Sequence, residues 1–304
     1  MRTDEYVDTP VVVRAPATSA NLGPGFDALG LALDWHDEIE ARVVEAGLAV
    51  DVEGEAADSV PRDETHLVVR SMRAAFDAMG GKQPDGLRLR CRNRIPHARG
   101  LGSSAAAIVS GIVAARALLA DDSSRLDDRA ALRLASELEG HPDNVAACLL
   151  GGLTVAWTGT DGGRAVRLTP GVRTVAMIPP APVSTEVARG LLPEAVSHAA
   201  AAHNAGRSAL LVAALTSAVS PGVLLAATQD RLHQSYRAPA MTESYALVRR
   251  LRAEGIAAVI SGAGPTVLAL LPPDGDPDPV CQHTPTGWRC REIGVDLRGA
   301  QVGE

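Results

Sequence analysis

Short apolar segments of two kinds alternate along the first half of the chain. Leu87, Leu89 and Cys91 alternate with arginines, and this period of two predicts a half-buried strand. Residues 66–79 carry apolar side chains at the spacing of an amphipathic helix. Further strands are expected from apolar segments at residues 11–13, 29–33, 39–44, 48–52, 154–158 and 165–168.

Helical patterns are more frequent in the later part of the chain. Residues 130–139 predict a helix, and the chain after residue 182 is expected to be mostly helical to about residue 254. Strands are expected at residues 175–178, 257–260 and 267–271. Because the composition changes near residues 160–170, we expect two domains, at residues 1–165 and 166–304.

Composition narrows the functional classes. The 304 residues include 46% hydrophobic and 21% charged residues, as in an ordinary globular protein. The formal net charge of −7 does not favour a surface that binds nucleic acid or an anionic membrane. The four cysteines lack C-x-x-C spacing, so they suggest neither a zinc site nor a redox pair.

Two segments bear on the cellular location. The chain begins with polar residues 1–5, which lack the apolar stretch of a signal peptide. The longest apolar stretch, residues 209–228, is interrupted by Ser-Pro-Gly at residues 220–222, whereas a membrane span needs about 20 unbroken apolar residues. We therefore expect two buried helices there and a cytoplasmic protein that neither spans nor binds a membrane.

Residues 100–104, Gly-Leu-Gly-Ser-Ser, are the most informative part of the chain. They lie where a predicted strand changes into an Ala-rich helix that is expected to end near Ala120. Glycine lets the backbone approach a ligand closely, and a helix N-terminus offers unpaired N–H groups with a partial charge of about +0.5. This segment, the 100–104 loop, can therefore bind phosphate without a lysine. The alternative is an ordinary glycine turn with a serine cap.

Two other glycine-rich segments accompany the 100–104 loop. Residues 16–27 read Pro-Ala-Thr-Ser-Ala-Asn-Leu-Gly-Pro-Gly-Phe-Asp, and residues 261–265 read Ser-Gly-Ala-Gly-Pro. In order and wording the three segments resemble the signature motifs of the GHMP kinases, a superfamily of small-molecule kinases. The first segment, His-Pro-Asp-Asn-Val-Ala at residues 141–146 and Tyr-Arg at residues 236–237 resemble its homoserine kinase branch.

This resemblance implies an α+β fold of two domains with the active site in the cleft between them. The N-terminal domain would be ribosomal-S5-like and the C-terminal domain ferredoxin-like. ATP and Mg²⁺ are the implied cofactors, with the metal held by Ser103 or Ser104 and by a glutamate of the following helix. Glu137 is preferred for this role, and Glu139 is the alternative. The residues expected to bind ATP are Pro96, His97, Ala98, Arg99, Gly100, Leu101, Gly102, Ser103, Ser104, Ala105 and Ala106.

The resemblance also implies L-homoserine as the substrate, with phosphorylation on its side-chain hydroxyl. Because this amino acid carries an ammonium and a carboxylate, Asp27 is expected to bind the ammonium, and Arg189 and Arg237 the carboxylate. The alternatives are a helix cap for Asp27, a turn residue for Asn21 and surface charges for the arginines. The full set expected to bind substrate is Asn21, Asp27, His141, Asn144, Arg189 and Arg237.

Catalysis is expected to depend on positioning and electrostatics. Mevalonate kinase-like members use an aspartate as general base, where the homoserine kinase branch is expected to carry an asparagine, here Asn144. The neighbouring Asp143 need not face the cleft. His141 is the other candidate catalytic residue, and orientation or substrate binding is favoured over a role as base. Phosphoryl transfer suits this arrangement, because its loose transition state needs charge neutralisation more than covalent help.

Two other functions stay open. A GHMP kinase could act on mevalonate, shikimate or a sugar, although an aspartate with two arginines suits an amino acid better. A non-catalytic GHMP-fold binding protein should have a damaged 100–104 loop, and this loop is intact. A dinucleotide-dependent oxidoreductase is excluded because the G-x-G-x-x-G spacing fails. GHMP kinases are often dimers, and no residue decides whether this chain forms a homodimer.

Overall fold

The computed structural model describes residues 6–80, 82–120 and 126–303, whose strands form one sheet of seven strands and one of four. The polar residues 1–5 considered above lie outside the described part of the chain. The strands are β1 (Val11–Ala20), β2 (Leu29–Val44), β3 (Gly47–Gly54), β4 (Gly86–Asn93), β5 (Leu153–Gly159), β6 (Gly162–Leu168), β7 (Arg173–Ile178), β8 (Ala257–Ile260), β9 (Val267–Leu271), β10 (Arg289–Ile293) and β11 (Gln301–Val302).

The seven-stranded sheet has the order β11-β1-β2-β4-β3, and β5 extends it by pairing with both β2 and β6. β3 and β4 are parallel, and the other pairs are antiparallel. The two strands predicted at residues 29–33 and 39–44 are parts of the single strand β2. β1 continues past its predicted end at Val13, and residues 15–20 are all buried. Both faces of β1 are covered there, so the sequence shows no alternation of apolar and polar residues.

Helices pack against this sheet and against one another. The most central is α2, which contacts both β1 and β2, and most of its 16 residues are buried. A helix that is apolar on all sides belongs in a core, and burial fixes the position of its N-terminus. The helices are α1 (Leu67–Ala78), α2 (Ser103–Leu118), α3 (Asp128–Glu139), α4 (Pro142–Leu150), α5 (Thr185–Gly190), α6 (His198–Thr216), α7 (Pro221–Ala227), α8 (Gln234–Arg237), α9 (Thr242–Ala253) and α10 (Asp278–Cys281).

The four-stranded sheet is antiparallel, with the order β10-β7-β9-β8. Helix α9 packs against β8 and β9. The strands predicted at residues 175–178, 257–260 and 267–271 are confirmed, and so is the helical region between them. Helix α10 and strand β11 were not predicted because they have only four and two residues, and β10 was not predicted because three of its five residues are charged.

The two domains at residues 1–165 and 166–304 remain a prediction, and the course of two strands bears on where they would meet. β6 continues through Leu168, so the predicted boundary falls inside a strand. The end of the chain also returns to the first sheet, where Val302 on β11 pairs with Val13 on β1. Nearby, His36 Nε2 on β2 lies 2.8 Å from an oxygen of Asp296. The composition change marks the start of the second sheet, but it cannot reveal a strand that comes back from the other end of the chain.

The apolar stretch at residues 209–228 is divided between α6 and α7, as predicted. Proline occupies the first position of α7, where its missing N–H is not needed. Across the described ranges, none of the helices has both the length and the apolar character to cross a membrane.

Candidate active site

A polar cavity of about 280 Å³ lies where helices and loops beside the seven-stranded sheet meet segments beside the four-stranded sheet. Its wall combines the start of α2, the end of α3, the start of α4, parts of α5 and α8, and the loop after β8. Every residue expected to bind substrate reaches this cavity. The lining residues are Asn21, Asp27, Ala98, Gly100, Gly102, Ser103, Ser104, Glu139, His141, Asp143, Asn144, Thr185, Arg189, Arg237, Gly262 and Ala263.

The 100–104 loop presents the N-terminus of α2 to the polar cavity. Gly102 has a φ of 69° and Gly100 a φ of 73°, both in the left-handed region that favours glycine. A Cβ atom on Gly102 would lie 1.9 Å from Thr18 Oγ1, and one on Gly100 would lie 2.2 Å from the carbonyl oxygen of Ser261. No side chain in the described ranges caps α2. Its first N–H groups are therefore available to an anion.

A second and more apolar cavity of about 340 Å³ adjoins the first. It shares Ala98 and both serines of the 100–104 loop with the polar cavity. Two buried atoms of its wall, His66 Nδ1 and Ser110 Oγ, have no hydrogen-bond partner among the described residues. Burial lowers the pKa of His66 and of His97, which favours neutral imidazoles. The wall consists of Asp37, Ile39, Val60, Pro61, Thr65, His66, Leu67, Val68, Asn93, His97, Ala98, Ser103, Ser104, Ala106, Ala107 and Ser110.

Arg99, which was expected to bind ATP, is committed to backbone contacts. Its guanidinium donates to the carbonyl oxygens of His97 at 2.9 Å and Pro179 at 3.0 Å, and also to that of Pro180. These bonds attach the 100–104 loop to the turn after β7. The other expected ATP-binding residues that line neither cavity are buried; they are Pro96, Leu101 and Ala105.

One carboxylate contacts the last serine of the 100–104 loop. Ser104 Oγ donates to Glu139 Oε2 at 2.7 Å, and burial raises the pKa of Glu139. Glu137, the glutamate preferred from the sequence, is exposed and does not line the cavity, because two residues turn a helix by about 200°. Ser103, the other serine considered for the metal, lines both cavities. The structure thus favours Glu139, the alternative glutamate.

Asp27 and Arg189 form an ion pair at the cavity. Two nearly parallel hydrogen bonds of 2.9 and 3.1 Å join the guanidinium to the carboxylate, and they raise the pKa of Arg189. Asp27 has a φ of 52°, and its N–H donates to Asn21 Oδ1 at 2.9 Å. Asn21 Nδ2 donates to the carbonyl oxygen of Gly262 at 2.9 Å. Asn21 therefore shapes the turn that presents Asp27, in addition to lining the cavity.

Arg237 is a buried cation, with only 2% of its surface exposed. Its Nη1 lies 3.3 Å from His233 Nδ1 and 3.4 Å from the Gly262 carbonyl oxygen, and its guanidinium lies 5.3 Å from the centre of the Phe26 ring. Burial lowers its pKa, although an arginine keeps its charge. Within the described ranges its Nε has no partner and no carboxylate forms an ion pair with it. Asp27, Asp143 and Asp230 act on it only from beyond ion-pair distance, so the cavity beside it suits an anion.

Three polar residues begin α4. His141 Nδ1 lies 2.6 Å from Asp143 Oδ1, and this hydrogen bond raises the pKa of His141. Asp143 is 1% exposed and lines the cavity, although nothing in the sequence required it to face the cleft. Asn144 Oδ1 accepts a hydrogen bond of 2.7 Å from Thr18 Oγ1. The cavity thus holds an oriented imidazole beside an oriented amide.

Comparison with known proteins gives the family. The sequence model of the GHMP kinases N terminal domain matches residues 66–152, and that of the GHMP kinases C terminal region matches residues 211–283. A homoserine kinase of Streptomyces coelicolor is 59% identical over 294 residues, which cover 96% of this chain and 94% of the relative. A homoserine kinase of Clavibacter michiganensis is 51% identical over 309 residues, with 99% and 96% coverage. The chain belongs to the homoserine kinases of the GHMP superfamily.

Solved structures agree with this family. A homoserine kinase from Cytophaga hutchinsonii superposes with a TM-score of 0.83 at 26% identity, covering 98% of this chain and 99% of the other. A putative homoserine kinase from Listeria monocytogenes gives a TM-score of 0.76 at 29% identity, with 97% and 99% coverage. The α+β GHMP kinase fold expected from the sequence is confirmed.

Sequence analysis missed several polar residues of this homoserine kinase family member, among them Asp143, Thr185, His66 and Ser110 on the cavity walls and Thr18 behind the 100–104 loop. Thr18 lies in the glycine-rich segment 16–27 and Asp143 in the segment 141–146, so membership of these motifs could have indicated that both residues are near the site. Thr185 begins the short helix α5 and carries no such signal. His66 and Ser110 lie in helical patterns, where a polar residue on a mostly apolar face looks like an ordinary core position.

Proposed function

We propose that the protein transfers the γ-phosphoryl group of ATP to the side-chain hydroxyl of L-homoserine, giving O-phospho-L-homoserine on the way to threonine. The observation that carries this proposal is the pairing, in one cavity, of an uncapped helix N-terminus with fixed charges of both signs. Relatives that are 48–59% identical over nearly the whole chain are homoserine kinases, which supports the same reaction.

The acceptor end suits a zwitterion. An incoming ammonium can replace Arg189 as the partner of Asp27, and the released Arg189 can then bind the carboxylate together with Arg237. Both ions of the present pair keep a partner in this exchange, and the buried Arg237 gains one. Mevalonate or a sugar lacks the ammonium, so neither could replace Arg189 beside Asp27 and release Arg189 to bind the ligand. The charge pattern therefore favours an amino acid over the other small alcohols.

The nucleotide end suits ATP. The phosphates would bind at the N–H groups that begin α2, where the helix dipole favours negative charge. The apolar cavity next to the loop would take the flat purine, because its size and wall match an aromatic base. His66 Nδ1 and Ser110 Oγ can then pair with polar atoms of the base, which removes two buried groups without partners.

The residues for a metal also fit. Ser104 Oγ and Glu139 Oε2 are 2.7 Å apart, close to the separation of about 3 Å between neighbouring oxygen ligands of Mg²⁺ in octahedral geometry. The raised pKa of Glu139 reflects a carboxylate that burial has deprived of water, and a nearby cation would favour its charged form. Mg²⁺, when bound, neutralises charge on the transferred phosphoryl group.

The remaining side chains support transfer by alignment. Because the hydrogen bond with Asp143 raises the pKa of His141, it stabilises the imidazolium form, whose charge suits contact with phosphate or carboxylate oxygens. His141 thus suits binding and charge stabilisation better than the role of base. Asn144 has no basic atom and can only orient the hydroxyl or stabilise charge. The loose transition state of phosphoryl transfer makes such a site sufficient.

Incubating the purified protein with MgATP and separate alcohols tests the proposal directly. We expect ADP release with L-homoserine, and a new phosphate ester on its side chain by phosphorus NMR. Mevalonate, shikimate and galactose serve as matched acceptors without an amino-acid end. ADP release with one of these and not with homoserine would reject the substrate, and ADP release with none would reject the kinase.

A further inference from the structure

A buried threonine connects the two ends of the site. Thr18 on β1 is fully buried, and its Oγ1 lies 2.7 Å from Asn144 Oδ1 at the start of α4. Its backbone N–H donates to the carbonyl oxygen of Leu101 at 3.0 Å. The same Oγ1 would lie 1.9 Å from a Cβ on Gly102, so it packs directly on the 100–104 loop. One side chain thus contacts both the phosphate-binding end and the acceptor end.

The length of this contact gives the direction of the hydrogen bond. A separation of 2.7 Å is usual for O–H···O, whereas N–H···O bonds centre near 2.9–3.0 Å. The Thr18 hydroxyl therefore donates, and Asn144 accepts through its carbonyl oxygen. Since an asparagine amide is planar, the two hydrogens on Nδ2 are then on the other side of the group, and Asn144 lines the cavity.

We infer that Thr18 is a positioning residue that fixes Asn144 as a hydrogen-bond donor toward the acceptor hydroxyl. This inference rests on the proposed phosphoryl transfer. Held in this orientation, Asn144 stabilises negative charge on the attacking oxygen or on the phosphoryl group. Its amide oxygen already accepts from Thr18 and is too weakly basic to remove the hydroxyl proton, so Asn144 acts as a donor. Thr18 also keeps the distance between Asn144 and the 100–104 loop constant, which is what in-line transfer requires.

Replacing the hydroxyl while keeping the volume tests the inference. Thr18→Val should lower kcat by roughly 10- to 100-fold, because a misplaced catalytic group or a lost donor has effects of that order. The KM values for ATP and homoserine should change by no more than about threefold, since Thr18 lines neither cavity. Thr18→Ser keeps the hydroxyl and should restore most of kcat. A purely structural role would predict equal losses in both variants, and that result would overturn the inference.

A double-mutant cycle separates action through Asn144 from a general effect. If Thr18 acts through Asn144, Thr18→Val should not lower kcat further once Asn144→Ala is present. Additive losses in the double variant would overturn the inference, and so would an unchanged kcat in Thr18→Val alone. If homoserine is not the acceptor, the cycle is run with whichever alcohol the protein phosphorylates, so the two proposals fail separately.

Thr174→Val is the matched control for folding. Thr174 on β7 is as buried as Thr18, and its Oγ1 donates to the carbonyl oxygen of Ile293 at 2.5 Å, but this partner lines neither cavity, whereas Asn144 does. Thermal unfolding should show similar losses of stability in the two valine variants, while only Thr18→Val loses kcat. A kcat loss of the same size in Thr174→Val would contradict the assignment.

Discussion

In the function proposed above, the nucleotide end and the acceptor end of the cavity recognise their ligands by different means. The nucleotide end would use backbone N–H groups of one contiguous segment, the 100–104 loop, placed by the largely buried helix α2. The acceptor end uses the side chains of Asp27, Arg189 and Arg237, which come from three distant parts of the chain. Backbone recognition therefore depends on conformation, whereas side-chain recognition depends on charge.

The two ends also differ in how they hold charge before a ligand arrives. The amides of α2 need no counter-ion, because their partial charges are fixed by the helix. At the acceptor end, Asp27 and Arg189 neutralise each other, with side chains that are 35% and 40% exposed. An ion pair with this exposure contributes little stability, so a ligand can displace it at small cost. The buried Arg237 has no such partner within the described ranges, which makes it the stronger anchor.

A methyl group on the 100–104 loop should have the largest effect. Gly102→Ala places a Cβ 1.9 Å from Thr18 Oγ1 at a φ of 69°, so the loop must move. We expect ATP turnover to fall by roughly 1,000-fold or more, since a displacement of about 1 Å alone can cost about 100-fold. The melting temperature should also fall. Steady-state kinetics and thermal unfolding measure the two effects.

Gly255→Ala is the control for backbone strain. Gly255 follows α9 with a φ of 83°, and no atom of the described residues lies within 4 Å of the position that an added Cβ would occupy. This change should cost only about 1 kcal/mol of stability and leave turnover unchanged. If Gly102→Ala were as active as Gly255→Ala, the phosphates would have to bind elsewhere.

Removal of a guanidinium tests the acceptor end. Arg237→Met should lower kcat/KM for homoserine by roughly 100-fold, the order found when one partner of a buried charge pair is lost. Arg189→Met should have a smaller effect, because Arg189 is 40% exposed. The KM for ATP should stay within about threefold in both variants. An equal rise in the KM for ATP would mean that the two ends are not separate recognition sites.

Variants of two neighbouring glutamates test which of them binds the metal. Glu139→Gln keeps the contact with Ser104 but removes the charge, so it should raise the Mg²⁺ concentration needed for half-maximal turnover by roughly 10-fold. Glu137→Gln, on an exposed position of the same helix, should behave like the wild type. Titration of turnover with Mg²⁺ at fixed ATP measures both. A larger shift in Glu137→Gln would reverse the assignment.

The difference between recognition by backbone and recognition by side chains also explains which site residues could be predicted from the sequence. The 100–104 loop was predicted because its conformation needs glycine at fixed positions, and such a need leaves a contiguous pattern. Arg189 and Arg237 were predicted only through the family resemblance, since nothing local separates them from other arginines. Glu137 was preferred over Glu139 from likeness to the family sequence, and a likeness of sequence does not give the rotation of α3 relative to the loop. The phase of a helix is set by packing, which only the structure contains.

The smallest effect on turnover is expected from Asp37, at the nucleotide end, whose titration should change the free energy of unfolding with pH. Asp37 lines the apolar cavity, and its Oδ1 accepts hydrogen bonds from the N–H groups of Arg94 and Ile95 at 2.6 and 2.8 Å. Burial raises its pKa from 3.8 to about 6. The folded protein therefore binds this proton more tightly than the unfolded chain does between about pH 4 and 6. Ionised Asp37 lowers the free energy of unfolding above that range, and the penalty disappears as the pH falls through it.

Asp37→Asn keeps the acceptor oxygen and removes the charge. At pH 7.5 the variant should be more stable than the wild type by about 1–3 kcal/mol, because each pKa unit corresponds to about 1.4 kcal/mol. Its advantage should shrink toward pH 4.5, where the wild-type carboxyl is already protonated. Urea unfolding at several pH values measures the difference. A difference that stays constant with pH would mean that Asp37 is already neutral at pH 7.5, or that its hydrogen bonds to the backbone offset its burial.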